Sequence, residues 1–234
     1  SNVIPGSYIV VFKDDYVAKE MSTRSTNTPG ERMAMVKDMT ATVLSDIQVT
    51  NDKVHQTYGT ALKGFAVNLE DTQVEALQRD SRIAYLEQDQ TVSVTMGGPP
   101  GGGGDGGDPA ESVPYGITRV GGGAGNTASG KAWIIDSGID MDHPDLNVAA
   151  ESAAGGSQSF LSGGGGSASP DDQNGHGTHV AGTVAAIDNE IGVIGVAPGA
   201  TVVAVRVLDR RGSGSTSGVI AGVNYVADYA ASSD

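Results

Sequence analysis

The stretch Asn174-Gly175-His176-Gly177-Thr178-His179-Val180-Ala181-Gly182-Thr183 decides how this chain is read. Its Gly, Ala and Val residues predict a small-residue helix over His176–Ile187, with His176 as its opening residue. A histidine pair first suggests zinc. The helical zinc motif, however, needs histidines four apart with a glutamate between them, and these are three apart with no acidic third ligand adjoining. Forty residues upstream, Lys131–Ile135 reads as a strand that ends in Asp136. Downstream, Thr201–Val207 is a continuous apolar strand. Ser217–Ala231 is a helix with apolar positions at Val219, Ile220, Val223 and Val226. Strands alternating with helices, and apolar throughout, imply an α/β fold with a parallel sheet covered on both faces. Function in such sheets gathers at the carboxyl ends of the strands, which is where Asp136 stands.

Composition bounds the rest. The chain has 234 residues, 35 of them glycine, and a net charge of −14. Residues 1–96 hold only 4 of the glycines and carry a net charge of −4; residues 97–234 hold 31 and carry −10, so two different materials meet near residue 97. An acidic chain without a basic run is not expected to bind nucleic acid. The longest apolar candidate, Ile191–Leu208, is broken by glycines, Pro198 and Arg206, so no membrane span is expected. The absence of cysteine removes disulfides, thiolate metal sites and thiol nucleophiles. The chain begins Ser-Asn-Val-Ile with no basic, apolar leader, and any export signal is expected to be already gone.

Residues 1–96 read as a small α+β domain. Tyr8–Phe12 suits a buried strand. Thr28-Pro29-Gly30-Glu31 is a helix start with a capping box, followed by Val36, Met39, Val43 and Ile47 on one face. Strands follow at Val54–Tyr58 and Phe65–Leu69. A helix then starts at Asp71, with Val74 and Leu77 inward, and a last strand runs from Ile83 towards Val94. This is the strand–helix–strand–strand–helix–strand order of ferredoxin-like folds. Residues 97–109, all Gly, Pro and Asp, have no apolar face and read as a linker that reaches ~45 Å when extended.

Two nucleotide motifs fail on context. Gly125–Ala132 nearly spells a phosphate loop, but alanine stands where a magnesium-binding hydroxyl belongs, and the glycines precede a strand instead of following one. Gly212–Gly218 sits between strand and helix with glycines one residue out of step for a dinucleotide site.

Taken together, Ile134-Ile-Asp136-Ser-Gly-Ile-Asp140, Asn174–Thr183, Gly195-Val-Ala-Pro198 and Val207-Leu-Asp-Arg-Arg-Gly-Ser-Gly214 resemble the subtilisin-like serine proteases, the subtilases, in motif and in order. Ala110–Gly116 looks like a mature amino terminus of that family. The first part is similar to its inhibitory propeptides at Pro5–Lys13, Gly64–Val67 and Ala84–Asp89. The resemblance implies a propeptide over 1–96, a linker over 97–109 and the front of a parallel-sheet peptidase domain, incomplete, over 110–234. It implies that His176 is the general base and Asp136 its orienting carboxylate. Gly212, Ser213 and Gly214 would form an edge strand that pairs with peptide substrate, with Leu208 walling the adjoining side-chain pocket. A structural calcium is implied, held by the side chains of Glu111, Asp145 and Asn189 and the carbonyls of Ile187, Ile191 and Val193. The propeptide tail, Thr91–Met96, would block the chain's own catalytic cleft, with cleavage after Met96.

The family's nucleophile motif, Gly-Thr-Ser-Met-Ala, does not occur in these residues. The expectation is therefore a secreted serine endopeptidase zymogen acting on proteins and peptides, whose serine lies beyond Asp234 and whose 234 residues alone are inactive. The competing expectation is a propeptide-type inhibitor or folding helper with a vestigial protease part. A nucleotide-binding α/β protein ranks third.

Overall fold

The computed structural model describes residues 2–94, 111–126, 130–152, 154–161 and 169–230. Met96 and the linker over 97–109 lie outside these residues. In chain order the first elements are β1 (Val3–Phe12), α1 (Asp14–Met21), α2 (Pro29–Asp46), β2 (Val54–Tyr58), β3 (Gly64–Asn68), α3 (Asp71–Gln78) and β4 (Ile83–Ser93). There follow α4 (Tyr115–Arg119), β5 (Lys131–Asp136), β6 (Asn147–Val148), β7 (Gln158–Ser159), α5 (His176–Ala185), β8 (Thr201–Arg206), β9 (Ser213–Ser215) and α6 (Thr216–Tyr229). They fall into two compact units, one gathering residues up to Val92 with Ser215–Asp228, the other centred on Ser93–Gly214.

In the first unit, β1 pairs antiparallel with both β3 and β4, and β2 with β3, giving the strand order β2-β3-β1-β4. That is the order a ferredoxin-like chain requires. α2 starts as its capping box predicts: Thr28 accepts from the Glu31 amide while Glu31 accepts from the Thr28 amide. Its Met35, Val36, Met39, Val43 and Leu44 pack on Val10, Phe12, Phe65 and Val67. Ile9 and Val11, which alternate with these on β1, are buried as well, so the strand is covered on both faces.

α6 joins this unit through hydrogen bonds, not through the apolar stripe its valines suggest. Its buried residues are Ser217, Gly218, Ala221, Gly222, Asn224 and Tyr225, whereas Val223 is 43 % exposed. Ser217 donates its amide and hydroxyl to the buried Asp89 carboxylate at 3.0 and 2.6 Å, and its carbonyl accepts from Tyr58 Oη at 3.0 Å. Asn224 Oδ1 accepts the amides of Thr60 and Ala61, and Asp228 pairs with Arg32 and accepts from the Thr60 hydroxyl. The inward face of α6 thus sets two hydrogen-bonded polar residues, Ser217 and Asn224, among the small residues Gly218, Ala221 and Gly222.

The second unit is built on β8. β5 lies parallel on one side in the register Lys131↔Thr201 to Asp136↔Arg206, and β6 and β7 lie parallel along the other. Val202 and Ala204 of β8, Ile134 of β5 and Ala181 and Ala185 of α5 form the core. Small residues on α5 let the helix approach the sheet closely, which brings His176 to the strand ends.

Candidate active site

β5 ends at Asp136, which is 8 % exposed, and its carbonyl accepts the amides of Val207 and Leu208 just beyond β8. α5 opens at His176. Its Nδ1 lies 2.8 Å from each carboxylate oxygen of Asp136, and Asp136 Oδ1 also accepts the Ser137 amide at 2.6 Å. Nε2 of His176 has no hydrogen bond among the described residues. An imidazole held at Nδ1 by a buried carboxylate, with Nε2 left open, can take up and return a proton.

Gly177 makes the approach possible. A Cβ there would fall against the Gly138 carbonyl oxygen, closer than the 3.0 Å that Cβ atoms essentially never breach, and 3.2 Å from Asp136 Cβ. Gly138, at φ +108°, faces Pro170 and Asp172 in the same way.

The predicted substrate strand is assembled in the same unit. Leu208 is buried, and a tight turn at Asp209 brings Gly212 and Ser213 back, with Gly212 N–H on the Asp209 carbonyl and Asp209 N–H on the Ser213 carbonyl. Gly212 has φ +71°. Its carbonyl accepts the amide of Val94 at 2.9 Å, and Gly214 packs on the Val207 carbonyl. The residue just after β4 is therefore bonded, backbone to backbone, to the segment expected to hold substrate.

The predicted calcium ligands converge as well. Glu111 Oε1 accepts the Asn189 amide at 2.8 Å, Asp145 Oδ1 accepts the Ile187 amide at 3.1 Å, and Asn189 Oδ1 accepts the Ile191 amide at 3.1 Å. Ser112 bridges to Val193. Asp145 is 6 % exposed with no basic partner among the described residues. The carbonyls of Ile187, Ile191 and Val193 accept no hydrogen bond among them either. Two carboxylates, a carboxamide and free carbonyls are an all-oxygen set that fits calcium. Among the described residues no three His, Cys, Asp or Glu side chains cluster as a metal site, and this set contributes only two such groups.

Two further polar residues border this site without a motif to announce them. Arg206 ends β8 opposite Asp136 and is 1 % exposed. Its guanidinium donates to the carbonyls of Ser169, Asp171 and Leu208 and to Gln173 Oε1. Burial pulls its pKa down, and the charges of Asp172, Asp171 and Asp209 counter that pull. Asp172 is the second. Burial alone would raise its carboxyl, but hydrogen bonds from the Gly175 amide, the Thr178 hydroxyl and the Asn174 and Thr178 amides hold it below its ordinary value. A carboxylate three residues ahead of a glycine that opens a helix was the available signal.

Residues 133–232 match the Subtilase family and residues 7–95 match Peptidase inhibitor I9. Subtilisin E of Bacillus subtilis (strain 168) is 41 % identical over 166 residues, covering 68 % of this chain and 38 % of the relative. An Alkaline protease of Shouchella clausii is 43 % identical over 165 residues, covering 68 % and 37 %. The Extracellular serine proteinase of Thermus sp. (strain Rt41A) is 34 % identical over 229 residues, covering 95 % of this chain and 51 % of the relative. The chain spans between about two fifths and half the length of these relatives.

Proposed function

This chain belongs to the subtilase family, with a peptidase inhibitor I9 region ahead of its subtilase region, and on that premise we propose that the whole protein is a secreted serine endopeptidase made as a self-inhibited precursor. The observation that carries the reading is the pair of 2.8 Å contacts from His176 Nδ1 to Asp136. His176 Nε2 accepts the proton of a serine hydroxyl supplied from outside these 234 residues, then returns it to the leaving amine. Asp136 keeps the imidazole in the tautomer with Nδ1–H and stabilises its cationic form. Gly212, Ser213 and Gly214 offer backbone to an extended peptide, and Leu208 lines the pocket beside it.

The segment 1–96 acts as propeptide, cut after Met96, and 97–109 as linker to a peptidase region over 110–234. The Val94–Gly212 hydrogen bond supports a tail that occupies the substrate strand before and after cutting. Glu111, Asp145 and Asn189, with the carbonyls of Ile187, Ile191 and Val193, would hold a calcium ion. Bound there, calcium supplies a structural cross-link between the 111–112 segment and the 187–193 loop. The likeness to the Extracellular serine proteinase of Thermus sp. supports an extracellular location, and no helix among the described residues is long and apolar enough to cross a membrane.

Peptide hydrolysis by the whole protein tests the reading. Asp136→Asn is expected to lower kcat by about 10⁴-fold, the size of effect seen when a triad loses its orienting carboxylate. Hydrolysis unchanged by His176→Ala would refute it. The same Val94–Gly212 bond favours a second reading, in which the chain serves as a stand-alone inhibitor. A whole protein that never cleaves peptide, but blocks another subtilase, would select that reading.

A further inference from the structure

We propose that Asp172 is the positioning residue of the Asp136–His176 pair, an inference that rests on the protease reading for its catalytic meaning but not for its geometry. A helix leaves its first amides without internal partners. α5 is capped by Gly175, in the left-handed region at φ +97°, which has no side chain with which to accept them. The amides of Gly175, His176, Gly177 and Thr178 are nevertheless all satisfied. Gly175 donates to Asp172 Oδ1 at 2.9 Å and Thr178 to Asp172 Oδ2 at 3.0 Å. Gly177 donates to Ser137 Oγ at 2.9 Å, and His176 donates to Asn174 Oδ1 at 3.3 Å.

Asp172 controls three of these four. It accepts two directly. It governs the third because Ser137 Oγ, the acceptor for Gly177, donates its own proton to Asp172 Oδ1 at 2.9 Å. Ser137 is covalently next to Asp136, and Gly177 is covalently next to His176. The chain Asp172–Ser137–Gly177 therefore ties the strand end that carries the carboxylate to the helix turn that carries the imidazole. Asp172 further accepts the Thr178 hydroxyl at 2.7 Å and the Asn174 amide at 2.9 Å, so five hydrogen bonds fix its own orientation. A carboxylate is needed, not merely an acceptor. Asp172 accepts through both oxygens, and a negative charge beside a helix amino terminus is favoured by the helix dipole. Asparagine can supply only one of those oxygens.

The test uses the 234-residue chain with ¹⁵N-labelled histidine and follows the His176 Nδ1 proton and its exchange with solvent, which report the bond to Asp136 without needing a nucleophile. Asp172→Ala is expected to raise that exchange at least tenfold, and Ser137→Ala to raise it at least threefold. Thr183→Val removes a hydroxyl bond to the His179 carbonyl on the same helix and is expected to leave exchange within twofold. A folded Asp172→Ala chain, judged by Trp133 fluorescence, with wild-type exchange overturns the proposal. So does an unprotected Nδ1 proton in the wild type. If Asp172→Ala does not fold, Ser137→Ala decides, and no change there overturns it. In the whole protein, Asp172→Asn is expected to lower kcat about 100-fold with KM within twofold, the order of effect of displacing a catalytic group by about 1 Å. Loss of peptide cleavage by the wild type would sink the protease reading and leave the exchange result standing.

Discussion

Gly177→Ala and Gly182→Ala put the same methyl group on the same helix, and the structure predicts opposite outcomes. At both positions alanine gains about 1 kcal/mol of helix propensity over glycine. At Gly182 nothing lies within 4 Å of the added Cβ, so the gain stands, and stability should rise by about 0.5–1 kcal/mol. At Gly177 the new carbon meets the Gly138 carbonyl and sits 3.2 Å from Asp136 Cβ. Both neighbours are fixed: Gly138 by its own close packing on Pro170, and Asp136 by its place in β5. Overpacking against rigid neighbours costs about 1–3 kcal/mol. The contact is with backbone and far under 3.0 Å, which puts the cost at the upper end of that range, so the clash outweighs the propensity by about 2 kcal/mol. Relief requires α5 to move off the strand ends, which stretches the 2.8 Å contacts of His176. Urea unfolding followed by Trp133, the only tryptophan and a residue of β5, reads the second unit directly. A Gly177→Ala chain as stable as wild type, with its His176 Nδ1 proton still protected, would refute the reasoning.

Three further outcomes are expected. Tyr58→Phe removes the donor to the Ser217 carbonyl in a buried setting and should cost the first unit about 0.5–1.5 kcal/mol in urea unfolding; a loss below 0.3 kcal/mol, taken as roughly the error of such a comparison, would contradict it. His55 has its pKa lowered, by burial first and against the opposing pull of Asp89, and its Nε2 lies 3.3 Å from Ser7 Oγ. The unfolded chain therefore takes up the proton first. Its stabilising contribution is full above the ordinary histidine value of about 6.5 and is lost as pH falls below it. The urea midpoint of wild type should drop between pH 7.5 and 5.5 by more than that of His55→Gln, and parallel drops would count against the assignment. Finally, calorimetric titration of the chain with calcium should detect binding that Asp145→Asn weakens at least tenfold, because one of two carboxylates is lost. Equal affinities would remove Asp145 from the site.

Elements whose determinants are local were legible in the sequence. Thr28 and Glu31 are three residues apart and cap α2 as their spacing predicts. Val54–Tyr58 and the start at Asp71 coincide with β2 and α3. α1 was not anticipated: it buries only Val17 and has no side-chain cap, so neither its period nor its start carries a strong signal. The inward face of α6 misled for a related reason. Apolarity points to Val223, but Ser217 and Asn224 are buried because Asp89 and the Thr60–Ala61 turn bond to them, partners 128 and about 164 residues away. The motifs single out Asp136 and His176, which the structure places 2.8 Å apart. Asp172 and Arg206 are not singled out, because the bonds that tie them to the site, Asp172 to Ser137 and Arg206 to Asp171, each cross 35 residues.

The burial of Arg206 also alters what solvent meets. Residues 97–234 contain five basic side chains, Arg119, Lys131, Arg206, Arg210 and Arg211, against fifteen acidic ones. One cation in five is enclosed by carbonyls at the end of β8 and is spent on holding loops, not on balancing the surface. Asp136 and Asp145 are buried as well, so the exterior keeps the acidic excess of this region, and its exposed carboxylates repel one another across water. Added salt shortens the reach of that repulsion to about 10 Å at 0.1 M. Ionic strength thus acts on this part of the chain as a stabiliser, in the opposite sense to its weakening of the exposed ion pairs at Arg24 and Arg79.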